Sequence, residues 1–365
     1  MLQTKKGRII RELFSREGIR GFAVEVEGRD EQCIVYPALI GDINIGDEVL
    51  LNTTAESLHL GSGGYHYVIA SLNPIEKDLK PGGHIMKLRY TPLQLKVLSV
   101  EEESSPYHEE MLQADNLENT PVLVATLHSM LAPMCLELNK RGLKTAYVMT
   151  DGASLPISFS RTVDWLKKTM ALAGTVTVGH AFGGDLEAVN IYSGLLAARK
   201  IIKADVIIVS MGPGIVGTGT KWGFTGIEQG EILNAVDTLQ GIPIAVPRIS
   251  FADKRERHRG ISHHTRTVLS RVCRASSLVP LPIMDEEKTT FILEQVKREK
   301  LSGIHRFCME EAASTLELIK ECGMKMTTMG RGVEQEKEFF MALGASAVTA
   351  ARLTKGQEPH FIMMA

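Results

Sequence analysis

From Val122 onward, short runs of β-branched and apolar residues alternate with stretches whose apolar residues recur every three or four positions. Strands joined by helices pair in parallel, because each helix carries the chain back along the sheet before the next strand begins. The runs predict strands at 122–127, 144–149, 175–179, 205–210, 242–246, 278–283 and 325–329, with a further one near 304–308. The helices between them show as Val163, Leu166 and Met170; Ile191, Leu195, Ala198 and Ile202; Ile232, Val236 and Leu239; and Ala312, Leu316 and Ile319. Each set makes one apolar stripe. Seven or eight such units give an α/β fold with a mainly parallel sheet. A doubly wound sheet is favoured, with a (β/α)8 barrel as the alternative, since strand order is not written in the periodicity.

The first hundred residues follow a different rule. Apolar positions alternate with period two, predicting strands at 8–13, 22–27, 32–39, 48–52, 67–72 and a long one at 85–100, with breaks at Gly18, Gly28 and Gly46. We read residues 1–103 as a small all-β barrel or sandwich, 104–120 as an acidic, polar linker, and 121–365 as an α/β ligand-binding domain. Residues 1–100 carry 12 basic and 12 acidic side chains, and the whole chain 41 and 43. That balance argues against nucleic acid as a partner.

Cys33, Cys135, Cys273, Cys308 and Cys322 are scattered and include no C-x-x-C pair, which suits reduced thiols better than a disulfide framework or a zinc knuckle. The basic start, Lys5-Lys6-Gly7-Arg8, lacks the apolar segment of a signal peptide, and no apolar run approaches the length of a membrane span. A cytoplasmic protein with no membrane association is expected, and self-association is left open.

Loops leaving the carboxyl ends of parallel strands share one edge of the sheet, where ligands bind. After the expected strands stand His128, Asp151, His180 with Asp185, a glycine-rich loop from Gly212 to Gly223, the segment from Arg248 to His264, and Arg331. The other ends carry ordinary turn residues. Residues 212–230 hold seven glycines in 19 positions, where the chain average of 33 in 365 would give fewer than two. Such density suits a loop that presents backbone N–H groups to an anion. Gly212, Gly214 and Gly217 match G-x-G-x-x-G, but no helix opens directly behind them, and Lys221 is not followed by the Ser or Thr of a P-loop.

Between residues 248 and 274 eight Arg or Lys face only Asp253 and Glu256. We read the two segments as opposite lips of one crevice for a small phosphorylated or carboxylated molecule. Gly212, Gly214, Gly217, Thr218, Gly219, Thr220 and Lys221 would hold the anion on one side, with Arg248, Ser250, Arg257, Arg259 and His263 on the other. His258 or His180 would be the general base, oriented by Asp253 or Asp185. Asp151 stands equally well as a turn residue before Gly152, Asp185 as a helix cap, and His128 as a hydrogen-bonded strand-end histidine. No H-x-E-x-H or H-E-x-x-H spacing is present, so no metal is assigned, and no cofactor is named. These residues point first to an enzyme of the transferase or hydrolase type. A non-catalytic sensor of a metabolite or nucleotide comes second, and NAD(P)-dependent redox chemistry third.

Residues 83–94, 179–190, the loop from Gly212 and residues 251–260 together resemble an uncharacterised bacterial family, domain of unknown function 3866. The likeness spans nearly the whole chain. It implies a bacterial cytoplasmic protein of two joined parts, and it carries no activity or catalytic residues with it.

Overall fold

The computed structural model describes the chain except for residues 62, 74–78, 80 and 363–365. The described residues fall into two compact units, Met1–Leu98 and Ser99–Ala365.

In the first unit β1 (Thr4–Arg16), β2 (Ile19–Val26), β3 (Arg29–Val35), β4 (Glu48–Asn52) and β5 (His66–Ser71) close a barrel in the order β1-β2-β3-β5-β4. β1 is long enough to pair with β2 and with β4. Two register shifts against β2, between Ile9 and Arg11 and between Glu12 and Phe14, bend it around the barrel. Ile9, Phe22, Val24, Val49 and Leu51 fill the interior. The expected long strand at 85–100 is instead a short antiparallel hairpin, β6 (Ile85–Lys87) with β7 (Leu95–Val97). Leu88 and Tyr90 take positive φ, 52° and 59°, which reverses the chain where hydrophobicity alone reads as continuous strand.

The second unit is built on eight parallel strands. These are β8 (Pro121–Val124), β9 (Thr145–Thr150), β10 (Gly174–Thr177), β11 (Leu186–Glu187), β12 (Val206–Met211), β13 (Ile242–Ala245) and, after a separate ribbon of β14 (Ile249–Ser250) and β15 (Gly260–Ile261), β16 (Leu278–Pro282) and β17 (Arg306–Glu310). Their order is β11-β10-β9-β12-β8-β13-β16-β17. The sheet has two edges, so it is doubly wound and not a (β/α)8 barrel. Every residue of β8, β9, β10, β12 and β16 is buried, as a sheet covered on both faces requires. Val122, Val124, Val148, Ile207 and Val209 face the helices Ile191–Lys200, Glu228–Thr238 and Glu286–Arg298. Leu123, Tyr147, Met149, Ile208 and Ile244 face Leu131–Lys140, Arg161–Lys168, Ser314–Glu321 and Lys337–Thr354. Each such aliphatic side chain contributes roughly 1.5–3 kcal/mol on burial.

Residues 104–120, read from sequence as a linker, carry the helix His108–Gln113 and send Met111 and Leu117 into this core. The exposed Glu109 and Glu110 give the segment its polar look. The strand expected at 325–329 is absent from the sheet. There β18 (Thr327–Thr328) and β19 (Arg331–Gly332) pair across Met329 and Gly330, whose φ angles are 48° and 79°, the signature of a tight hairpin turn. Among the described residues no helix is long and apolar enough to cross a membrane.

β8 and β9 lead to helices on one face of the sheet, β12 and β13 to helices on the other. In the order β9-β12-β8-β13 the loops therefore leave toward opposite faces at each step, the topology at whose carboxyl ends open α/β sheets bind ligands.

Candidate functional site

Two loops dominate this edge. The first, between β12 and the helix Glu228–Thr238, folds into a strap. Thr218 donates its N–H to the Gly223 carbonyl at 2.8 Å, and Thr225 donates to Val216 at 2.9 Å. Part of the backbone expected to cradle an anion is thus used within the strap. Gly212 lies so close to the 151–154 turn that a Cβ there would come within 2.6 Å of the Ser154 carbonyl oxygen. Gly214 has φ of 108° and Gly219 of 78°, conformations open chiefly to glycine. Thr218, Thr220 and Lys221 are exposed, with the Thr218 and Thr220 hydroxyls 3.0 Å apart and the Lys221 ammonium 5.6 Å from the Trp222 ring centre. As in the sequence reading, no helix opens behind the glycines: the first regular helix starts at Glu228.

The second loop follows β13. Antiparallel pairing of β14 with β15 closes it at its base, and Ser262 caps the short helix His263–Thr267 by accepting the His264 N–H. Buried Asp253 accepts hydrogen bonds from the Arg255 backbone N–H at 3.1 Å, Nε at 2.9 Å and Nη2 at 2.8 Å, with Arg248 Nη2 at 3.4 Å and Arg331 Nη2 at 3.5 Å. The Arg255 side chain above all holds this carboxyl well below the usual carboxylate range, against the effect of burial. A carboxylate tied to three guanidinium groups fixes their positions and does not exchange protons near neutrality. Ser250, expected to touch ligand, instead accepts the Asp253 N–H at 3.1 Å and donates its hydroxyl to Glu336 Oε2 at 2.7 Å. Glu336 also pairs with Arg331.

His258, His263 and His264 meet at the centre of this loop. Their ring centres are 4.8 Å (258 to 263), 5.3 Å (258 to 264) and 4.1 Å (263 to 264) apart. His258 Nδ1 lies 2.8 Å from Ser262 Oγ, so Ser262 orients this ring, not Asp253 as expected. Desolvation first, and then Arg248 and Arg255, push His258 down to about 3. Desolvation with His263, Arg248 and Arg257 brings His264 to about 4, and His263 is lowered by the same kinds of cause.

The two loops touch. His264 stacks on Phe224 at the end of the strap, with centres 4.0 Å apart and planes 12° from parallel. A Cβ on Gly217 would stand 3.7 Å from His264 Cε1, and one on Gly219 would stand 3.9 Å from Arg257 Nη2. Arg257 has no ion-pair partner among the described residues and is exposed. Arg248 is buried between Asp253 and His258, and desolvation lowers its affinity for its proton. Arg259 leaves this group: its guanidinium lies 5.2 Å from the Phe291 ring centre. Arg266, which in sequence resembles a solvent-facing helix residue, is buried, donates from Nε to the Ile261 carbonyl at 2.9 Å and pairs with Glu299.

The remaining sequence candidates lie elsewhere. Asp185 is held near the amino end of β10, accepting from Thr175 N and Oγ1, both at 2.9 Å, and from Lys167 Nζ at 2.7 Å. It neither orients His180 nor caps a helix; Asn190 is the cap of Ile191–Lys200. The His180 N–H donates to Asp151 Oδ2 at 2.9 Å. A Cβ on Gly179 would lie 2.3 Å from that carboxylate oxygen, and φ there is 63°, so only glycine admits Asp151.

Glu228, which sequence reading passed over, stands beside Asp151. Thr150 Oγ1 donates to it at 2.6 Å, and burial, with Asp151 and Glu231 nearby, pushes its carboxyl up to about 7. In sequence it is an ordinary acidic residue in a first helical turn. On the other face of the sheet, Pro213, Gly214 and Ile215 line a 350 Å³ cleft with His128, Ser129 and Met326. His128 sits between Ser160 Oγ at 2.6 Å and Tyr147 Oη at 3.3 Å, and desolvation lowers it to about 4.

No curated protein matches this chain significantly. The model of one family, described as protein of unknown function (DUF3866), matches residues 32–347, barrel and α/β unit together. Covering most of the chain, that match places it within a family: this protein belongs to DUF3866.

Proposed function

We propose that the protein is an enzyme of the hydrolase or transferase type, acting in the cytoplasm on a small phosphorylated or carboxylated molecule bound at the carboxyl edge of the parallel sheet. One observation carries the reading. The glycine strap after β12 and the Arg/His loop after β13 close on each other at Gly217, Gly219, Phe224, Arg257 and His264. Arg257, without an ion-pair partner among the described residues and next to an exposed glycine backbone, offers a fork of donors to an oxyanion. Arg248, Arg255 and Arg331 form a positive layer behind it, held in place by Asp253. The imidazoles supply the polar centre against which the bound molecule would react. The five unpaired thiols suit a reducing compartment.

Incubating the protein with a mixture of phosphorylated and carboxylated metabolites, and following both depletion and melting, tests this. We expect one class of molecule to be depleted. Arg257→Ala should slow that depletion about tenfold or more, because a charge-assisted hydrogen bond contributes roughly 1.5–3 kcal/mol. Melting of that variant should stay near wild type, as exposed substitutions shift stability by only about 0.5 kcal/mol. Stabilisation with no depletion would replace the enzyme by a metabolite sensor, and an unchanged rate in the variant would remove Arg257 from the site.

A further inference from the structure

We propose that His258, His263 and His264 form a three-imidazole centre for a divalent transition metal of the zinc, cobalt or nickel class. Each offers one ring nitrogen, and the three nitrogens lie within 4.8 Å of one another. Two nitrogens on a tetrahedral ion stand about 3.4 Å apart, given metal–nitrogen bonds of about 2.05 Å. The set is therefore at most about 1.4 Å per pair wider than a bound ion requires. The loop already fixes the rings as a metal site needs. Ser262 Oγ, 2.8 Å from His258 Nδ1, is nearer than the donor-only Arg248 Nη1 at 3.5 Å, so it can accept that N–H and leave Nε2 to bind the ion, the outer contact that ligating histidines regularly make. The Phe224 ring holds His264 in one plane.

An independent feature points the same way. His263 Nε2 is shut off from solvent and has no hydrogen-bond partner among the described residues. Leaving a buried polar atom unsatisfied destabilises the fold, and a bound ion removes that cost. Sequence spacing hides the site, because one ligand comes from the turn Glu256–His258 and two adjacent ligands come from the start of the next helix. Three imidazoles leave a fourth position for water or for an oxygen of a bound molecule.

The charges around the site specify what fills that position. Arg248, Arg255, Arg257 and Arg266 all act on these rings, opposed at His258 by Asp253. An anion bridging the ion and Arg257 completes the balance, so metal and anion should each strengthen the binding of the other by the same factor. This last point rests on the anion site proposed above; the metal centre itself does not.

The test uses the full-length chain after chelator treatment. Co²⁺ is titrated while the visible spectrum is recorded, and Zn²⁺ and inorganic phosphate are titrated by calorimetry, for wild type, His263→Gln, His264→Gln, Arg257→Ala and His59→Ala, the last a surface-histidine control. We expect one Co²⁺ per chain with the intense bands of four-coordination. Affinity should fall at least about 100-fold in the His263 and His264 variants and be unchanged in His59→Ala. Melting curves of the metal-free variants show whether they are folded. A folded His263→Gln that binds Zn²⁺ as tightly as wild type overturns the centre, as does a wild-type chain that binds no metal. Metal binding without phosphate binding keeps the centre and refutes the anion site. Phosphate binding that is lost in Arg257→Ala, with no metal bound, does the reverse.

Discussion

Glu228 and Asp253 show how differently two acidic side chains behave at one sheet edge. Asp253 is surrounded by guanidinium groups and stays ionised, whereas Glu228 is desolvated with another carboxylate beside it and keeps its proton up to about pH 7. A carboxyl whose folded value is raised favours the folded state while protonated. Its contribution is complete below the unfolded value of about 4.5 and is lost as pH rises through about 7. Glu228→Gln should therefore gain on wild type as pH rises from about 4.5 to about 7, by about 3 kcal/mol in all at roughly 1.4 kcal/mol per pH unit, with the two curves parallel above that. Urea unfolding at several pH values measures this, and curves parallel through that rise as well would show that Glu228 is ionised in the fold. Nothing in the sequence distinguishes these acids. The Arg/His run stands out in the sequence because eight cations in 27 positions do not suit a core. Asp185 was misread because its partners, Lys167 and Thr175, come from a helix and a strand whose packing periodicity does not report.

At the scale of elements, the strap's seating on the 151–154 turn can be tested by two substitutions that act through different causes. Gly212→Ala pushes a methyl against the Ser154 carbonyl, a rigid backbone neighbour, and overpacking of this kind costs roughly 1–3 kcal/mol. Gly214→Ala meets open space but must keep φ at 108°, which costs an L-residue roughly 1–2 kcal/mol. Both should lower the melting temperature and speed proteolysis within 212–223. If Gly212→Ala melts like wild type with the strap equally resistant, the strap is not docked on Ser154. The strands at 122, 145, 206, 242 and 278 were readable because near-complete burial leaves mostly apolar, β-branched runs. The errors at 85–100 and 325–329 share one origin. Non-glycine residues with positive φ, Leu88, Tyr90 and Met329, turn the chain inside an apolar stretch, and side-chain chemistry gives no warning of that.

For the whole molecule, the strand count favoured an open doubly wound sheet but also allowed a closed barrel, and pairing alone separates them. Placing β12 between β9 and β8 makes successive loops diverge, so the edge that carries the strap and the Arg/His loop is also where the topology opens. The central claim is that these two loops, 30 and more residues apart in the chain, bind one anion together. Amide hydrogen exchange on the full-length protein, with and without saturating inorganic phosphate, tests it most directly. The account predicts added protection in both 212–223 and 253–264, lost from both in Arg257→Ala. Protection confined to one loop, or retained in both without Arg257, would contradict it.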